Sequence, residues 1–429
     1  MTMKKRFLPL VVSLLGSLPM FAQVTLEECV KLAQKNYPLI RKYDLLAQVE
    51  EIDLSEINKS WLPQVSLYGQ GTAQNETPSL PESLARVIDQ AGMDMKGVDE
   101  WQYKAGVDIR QNVWDGGESK AQRNTARAER AERQAALDVR LYAVRERVED
   151  LFFAILLLDE QMAQTRNMLT LLENNLDKLR IMLRHGTAMQ SDVDMVEAQC
   201  LSVKQQLIQA ERSSKSYREV LGLFTGKQLA GQELLKPDAS IPHELVPNRP
   251  ELRHFEAQAQ VNEAKRASVM ASTMPRIGLF AQAYYGYPGF DYFESMMGRD
   301  PSVNLLAGVK VSWNLDAFYH KKNENRKLRL ASDNIAVERD VFLFNTNLKT
   351  RSQLNRIDEL RAVMQENKRI VELRERVRKA AESQLDNGVI DATDLLAKLT
   401  EEKQARLTAS YHEIQLLQGV YRLKYTLNR

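Results

Sequence analysis

Trp101-Gln102-Tyr103-Lys104-Ala105-Gly106-Val107-Asp108-Ile109-Arg110-Gln111-Asn112-Val113-Trp114 begins and ends on tryptophan and alternates in between. In an extended chain Val107, Ile109 and Val113 share one face, and Asp108, Arg110 and Asn112 the other. One segment of this kind is most often a strand of an ordinary half-buried antiparallel sheet, and it is also the weak signature of a membrane-barrel strand. Three more segments alternate in the same way, at about 62–72, 275–286 and 304–315, carrying Val65/Leu67, Ile277/Leu279/Ala281 and Val309/Val311. All four tryptophans of the chain, Trp61, Trp101, Trp114 and Trp313, fall at the ends of these strands. From Trp101 to Trp114 is roughly 43 Å at ~3.3 Å per residue, and a tilt of about 45° projects that to about 30 Å, one hydrocarbon thickness. Tyr103, Tyr284, Tyr285, Tyr287 and Phe290 add aromatics on the far side, so two girdles at a membrane interface are expected.

Outward from the strands the sequence turns helical. Its 429 residues hold 19 Gly and 13 Pro, about 7% together against a usual sum near 12%. Between Glu118 and Leu221 the only Gly or Pro is Gly186, and between Val309 and Gln418 the only one is Gly388. In the first tract Leu137, Leu141, Val144, Val148, Leu151, Ile155, Leu158 and Met162 step by four and three, and the series resumes from Leu169 to Leu183. That spacing is the seam of a left-handed coiled coil. The counterpart keeps Val337, Val341, Phe344 and Leu348, then drifts. Each long helix reaches about 100 Å. Shorter helices are expected over Thr25–Ser60, Ser191–Phe224, Arg249–Ser272 and Asp394–Arg429.

The chain also repeats itself. Asn36-Tyr37-Pro38-Leu39 returns as Asn248-Arg249-Pro250-Glu251-Leu252, and Pro63-Gln64-Val65-Ser66-Leu67-Tyr68 as Pro275-Arg276-Ile277-Gly278-Leu279-Phe280, both 212 positions on. Gly106-Val107-Asp108-Ile109 returns as Gly308-Val309-Lys310-Val311, and His185-Gly186 with Asp192-Val193 as Asn387-Gly388 with Asp394-Leu395, both 202 positions on. The difference falls in the loop between paired strands, roughly Thr72–Glu100 against Tyr287–Ser302. The expected organisation is a signal peptide at 1–22, a first repeat at 23–226, a linker at 227–247 and a second repeat at 248–429. Each repeat reads helix, strand, loop, strand, long helix, tight turn, helix.

Lys4, Lys5 and Arg6 precede an apolar run ending near Ala22, the pattern of a cleaved export signal. Its removal takes the formal charge from +2 to −1, which gives a nucleic-acid surface no support. Beyond that run nothing approaches the roughly 20 consecutive apolar residues of a spanning helix. The two cysteines, Cys29 and Cys200, form neither a disulfide framework nor a metal cluster and are expected to stay unpaired. Four strands alone leave edge amides unsatisfied in lipid. Two copies give eight strands, a barrel filled by its own side chains; three copies give twelve and a lumen.

At this point the chain resembles the TolC-type outer-membrane efflux protein family. The resemblance rests on Thr25-Leu26-Glu27-Glu28-Cys29-Val30-Lys31-Leu32-Ala33, Asn36-Tyr37-Pro38-Leu39, Asn248-Arg249-Pro250-Glu251-Leu252 and Met274-Pro275-Arg276-Ile277. The strand exit Asn112-Val113-Trp114-Asp115-Gly116-Gly117 and the turns at Gly186 and Gly388 complete it. It implies a mainly α fold with a membrane β part: a homotrimer whose twelve-stranded β-barrel in the outer membrane continues into a long periplasmic α-helical barrel. It further implies a passive export duct, docked on a periplasmic adaptor and an inner-membrane transporter, with no cofactor and no enzymatic activity. The second strand exit, Asn314-Leu315-Asp316-Ala317-Phe318-Tyr319, lacks the Gly-Gly of the first, and neither turn carries the arginine common in the family.

Gly186, Thr187, Gly388 and Val389 mark the hairpin tips where an adaptor is expected. Asp192 and Asp394 read either as acids of a helix start or, in a threefold assembly, as up to six carboxylates at a periplasmic gate that favours cations. The five histidines (185, 243, 254, 320, 412) read as solvated, and Met93/Met95 and Met296/Met297 as loop filler rather than a soft-metal site. No nucleophile–base arrangement, P-loop or H-E-x-x-H is present. The competing reading is a periplasmic coiled-coil adaptor or scaffold without a membrane barrel.

Overall fold

A computed structural model describes residues 24–92, 95 and 97–429. The export segment 1–22 and Met93 lie outside the described residues. The expected helix over Thr25–Ser60 is interrupted: α1 covers Leu26–Asn36, a 3₁₀ turn Pro38–Arg41, and α2 Lys42–Lys59. Pro38 causes the break. It pushes Tyr37 to an extended ψ of 131° and offers no N–H to the preceding turn. Strand β1 (Gln64–Ala73) and β2 (Trp101–Trp114) enclose a helix absent from the sequence reading, α3 (Glu82–Gln90). There follow α4 (Glu118–Arg184), α5 (Gln190–Thr225), α6 (Pro250–Ala271) and β3 (Arg276–Tyr287). A second helix unforeseen in a loop, α7 (Tyr292–Met297), precedes β4 (Ser302–Ser312), α8 (Ala317–Asp386) and α9 (Ala392–Leu427).

The chain forms two compact units, each built from both halves of the sequence. One takes the chain as far as Ile40, Val139–Arg249 and Phe342–Arg429; the other takes Arg41–Asp138 and Pro250–Val341. The second holds all four strands in one antiparallel sheet of order β1-β2-β3-β4, with a bulge in β2 between Asn112 and Trp114. Its helices stand in the matching order. Glu50 of α2 pairs with Arg130 of α4 at 2.8 Å, Glu132 of α4 with His254 of α6 at 2.8 Å, and Asn262 of α6 donates to Ser332 of α8 at 3.3 Å.

The first unit is held by three apolar clusters. In one, Leu26, Cys29 and Ala33 of α1 pack on Val148, Phe152 and Ile155 of α4, on Leu221 of α5 and on Tyr421 of α9. The 227–247 stretch is more than a spacer: Leu229 and Leu234 are buried in this cluster, and Leu234 bridges to Val24. In the second, Leu172, Leu176 and Leu179 of α4 meet Val193, Val196 and Cys200 of α5, Leu385 of α8 and Leu395 and Leu399 of α9. A third joins Ile357 of α8 to Val420, Leu423 and Leu427 of α9. Cys29 and Cys200 thus sit in separate clusters as free, buried thiols. The heptad seam of α4 is largely consumed here, whereas Val337, Val341, Phe344 and Leu348 of α8 are all more than half exposed.

Buried charge accompanies the apolar packing. Arg378 of α8 lies 2.5 Å from Glu402 of α9 with both side chains at 10% exposure or less; Glu382 and Arg406 complete the network. Removing one member of such a pair strands a desolvated charge, while replacing both by apolar groups does not. Glu402→Leu is therefore expected to cost about 3–5 kcal/mol, and Arg378→Met/Glu402→Leu markedly less. Thermal unfolding followed by helical circular dichroism checks this; a double variant as unstable as the single one contradicts it.

Candidate functional site

The residues singled out in the sequence gather in two places: the hairpin tips of the first unit and the two-faced sheet of the second. At the first tip the chain leaves α4 through Gly186, at φ 71°. The Gly186 N–H donates to Leu183 O (3.0 Å) and the Thr187 N–H to Met182 O (2.9 Å). The second tip repeats this geometry. Gly388 sits at φ 69°, its N–H donating to Leu385 O (2.9 Å) and that of Val389 to Gln384 O (2.8 Å). A residue with a Cβ pays for this left-handed conformation, so glycine closes both helices.

The restarts differ. In α5 the backbone N–H of Met189 donates to Asp192 Oδ2 at 2.9 Å, so Asp192 serves the helix end from its third position. In α9 the cap is Asp391, which the sequence reading missed, its carboxylate accepting from the Asp394 N–H at 2.9 Å. Neither Asp192 nor Asp394 is itself an N-cap, and the exposed Asp394 carboxylate plays no part in the cap. The capping spacing Asp391-x-x-Asp394 was the signal available. Met189 and Val389 are 72% and 69% exposed, so each tip presents an apolar side chain beside the exposed Gly186, Thr187 and Gly388.

In the sheet, register decides what each face is. Val65, Leu67, Val107, Ile109, Leu279, Ala281, Val309 and Val311 stand on one face, extended toward β3's end by Ala283 and Tyr285 and along β4 by Val303 and Leu305. That face holds no Asp, Glu, Lys or Arg; Gln111 is its one amide. The opposite face carries Lys104, Asp108, Arg110, Arg276 and Lys310, and Gln282 Nε2 donates there to Tyr68 Oη at 2.9 Å. Lys104 lies over the Tyr284 ring, 5.7 Å from its centre. Gly106 makes room on this side, since a Cβ there would come within 2.6 Å of Tyr284 Cβ.

The tryptophans divide three to one. Trp61, Trp114 and Trp313 lie at the end of the sheet from which the helices leave, and Trp313 Nε1 donates to Thr273 O at 3.0 Å. Trp101, 72% exposed, lies at the other end with Tyr103 and Tyr285. There Tyr287 is buried, accepting from the Asp99 N–H and donating to Ser295 O, both at 2.9 Å.

Two histidines depart from the solvated reading: His254 pairs with Glu132 at 2.8 Å, and His412 with Asn367 at 2.7 Å, both partly buried. Among the described residues no three His, Cys, Asp or Glu side chains converge as a metal site, and no helix is long and apolar enough to cross a membrane. The most perturbed acid outside the sheet is Glu149 of α4. Burial pushes its carboxyl up to about 7, against the pull of Arg145 Nε at 2.7 Å, with Asp150 and Glu146 adding to the rise. A carboxyl raised above its ordinary 4.5 holds its proton better in the folded chain. Its contribution is full at low pH and is lost as pH rises from about 4.5 through about 7. Melting temperature measured across that window should fall less steeply in Glu149→Gln than in the parent; parallel slopes would remove Glu149 from the account.

Residues 30–227 match the family model described as outer membrane efflux protein. No curated protein sequence matches the chain. Among solved structures, the outer membrane protein VceC of Vibrio cholerae is similar with a TM-score of 0.67 at 12% identity, over 94% of this chain and 95% of that one. The CmeC outer membrane channel of Campylobacter jejuni gives 0.63 at 13%, over 94% and 85%. The open state of the MtrE outer membrane channel of Neisseria gonorrhoeae gives 0.64 at 14%, over 94% and 88%. At these identities the structures speak for the fold, and the family match speaks for the sequence of residues 30–227: over that stretch the chain is similar to the outer membrane efflux protein family.

Proposed function

We propose that the chain is one third of an outer-membrane export duct. The observation that carries this reading is the sheet's uncharged face, continuous across four strands, backed by a face with five charged residues. An uncharged face suits hydrocarbon and a charged one suits water. Among the described residues both edge strands, β1 and β4, lack an outer partner, and lipid cannot satisfy their amides. Three copies close twelve strands around an aqueous lumen. Trp101 with Tyr103 and Tyr285, and Trp61, Trp114 and Trp313, then lie at the two interfaces. A scaffold confined to the periplasm has no use for such a face.

In this reading the mature chain consists of two tandem repeats, 23–226 and 248–429, joined through 227–247 and exported by segment 1–22. The long helices form a periplasmic barrel. Its hairpin tips, with Gly186, Thr187, Gly388 and Val389 and the exposed Met189, meet a periplasmic adaptor that links the duct to an inner-membrane transporter. The duct itself is passive: it performs no reaction and needs no cofactor, and the exported solute is chosen by the transporter. The test is direct. The full-length protein should require detergent for extraction from outer membranes, run as a trimer by native mass spectrometry, and open ion-conducting pores in planar bilayers. Release by salt alone, without pores, refutes the reading.

At the narrow end, Asp394 is the carboxylate available to a passing ion, and Asp192 is engaged at its own helix end. Asp394→Ala is expected to lower cation preference and block by divalent ions, and to leave stability nearly unchanged. Asp192→Ala is expected to cost about 0.5 kcal/mol of helix-end stability with a smaller change in selectivity. Single-channel reversal potentials and melting curves separate the two; unchanged selectivity in the double variant leaves both as helix-start acids.

A further inference from the structure

Charge is unevenly spread over the sheet. Its polar face carries four cations, Lys104, Arg110, Arg276 and Lys310, against one acid, Asp108. That excess on one face of four strands exceeds the formal charge of the whole chain, +2. At one end of the sheet Lys104 is occupied, seated over the Tyr284 ring. The other three cations gather toward the end from which the helices leave, around a groove of about 520 Å³.

Register explains the groove. Gly278 of β3 lies between Asn112 of β2 and Lys310 of β4, and on its own strand Arg276 and Phe280 flank it on the same face. With no side chain of its own, Gly278 is the floor and these neighbours are the walls. Arg110 stands on the diagonal, opposite Phe280. At ~4.8 Å between strands and ~6.6 Å between same-face residues, all three cations are rooted within about 8 Å of this floor.

The three are not equally engaged. Arg276 is joined to Glu118 at the start of α4, and Arg110 has Asp108 at 3.9 Å. Among the described residues Lys310 has neither an ion-pair nor a hydrogen-bond partner. Beside these charges lies an apolar plate. A Cβ at Gly308 would stand 3.0 Å from two carbons of the Phe280 ring, so the ring leans across β4. Leu306, 44% exposed, is the next residue of β4 on that face.

We propose that this groove binds amphiphilic organic anions: an oxyanion head, carboxylate, sulfonate or phosphate, on an aromatic or aliphatic body. The head takes Lys310 and Arg110, whose guanidinium matches two oxygens of an oxyanion at once. The body lies on Phe280 and runs toward Leu306. The inference rests on the duct reading, which turns this face to the lumen, and it names the class of solute that the wall favours. Repeated three times, the groove becomes a belt of excess positive charge, which favours anions. Arg110 and Lys310 are both exposed, so their attraction is weak and screened by salt. A conducting wall needs that weakness, because a solute must leave as readily as it enters. The transporter still chooses the solute; the wall eases the passage of what is delivered.

The experiment is block of single channels formed by the full-length protein in planar bilayers. Naphthalene-2-sulfonate should reduce the current in the millimolar range, and inorganic sulfate, which has a head and no body, should need about ten times more. Arg110→Gln/Lys310→Gln should raise the half-blocking concentration of naphthalene-2-sulfonate about tenfold, and Lys310→Arg should leave it near that of the parent. Phe280→Thr should weaken block by naphthalene-2-sulfonate and leave block by sulfate unchanged, which separates ring from charge. Should the double variant open no pores, Lys310→Gln alone carries the comparison, with a shift of about threefold. Parent channels that conduct and ignore naphthalene-2-sulfonate, or charge variants blocked like the parent, overturn the groove and leave the duct standing. A parent chain that opens no pores overturns both.

Discussion

A strand edge carries a row of N–H and C=O groups that must be satisfied, and hydrocarbon satisfies none of them. Everything in the strand-bearing unit follows from that constraint and the uncharged sheet face. The chain pairs β1-β2-β3-β4 and stops, leaving one open edge at β1 and another at β4. Four strands at ~4.8 Å spacing make a ribbon of about 20 Å, far too narrow to curl shut alone. The close approach at Gly106, where Tyr284 leaves no room for a Cβ, lies on the charged face.

The helices obey the same edge logic with side chains in place of amides. The α4 seam at Val148, Ile155 and Leu172 is fully covered by its own chain. The α8 stripe at Val337, Val341, Phe344 and Leu348 has equivalent apolar content and is left uncovered. A soluble monomer rarely tolerates such a row. The two helices differ in their cover: among the described residues α4 is flanked by its own chain on both sides, and α8 is an edge.

Much of this was legible in the sequence because the signals are periodic or punctuated. The coiled-coil seam, four strands within about three residues of their ends, and both glycine turns follow from spacing alone. What escaped depends on particular contacts. Pro38 was used as a repeat marker and not as a helix breaker, although its ring alone divides α1 from α2. Helices α3 and α7 are only nine and six residues long, shorter than the window in which a helical period stands out. The solvated reading failed for His254 and His412 because their partners, Glu132 and Asn367, are 122 and 45 residues away. Burial of Glu149 could not be read from a helix that is charged on most of its circumference, because its neighbours come from packing.

The hairpin tips show how far sequence correspondence reaches into chemistry. Gly186 and Gly388 hold the same φ to within a few degrees and close the same pair of hydrogen bonds, so the backbone path is common to both. Asp192 and Asp394 then occupy matched positions and do different things. A methionine at the cap of α5 has no oxygen to offer, so Asp192 reaches back to its N–H; an aspartate at the cap of α9 supplies that oxygen itself and relieves Asp394 of the task. A carboxylate committed to its own helix end is fixed in direction and already partly neutralised by the N–H it accepts from. One left free keeps its full charge and its rotamers. In the proposed trimer the six acidic side chains are thus of two kinds, and the Asp394 set is the one at liberty to answer an ion.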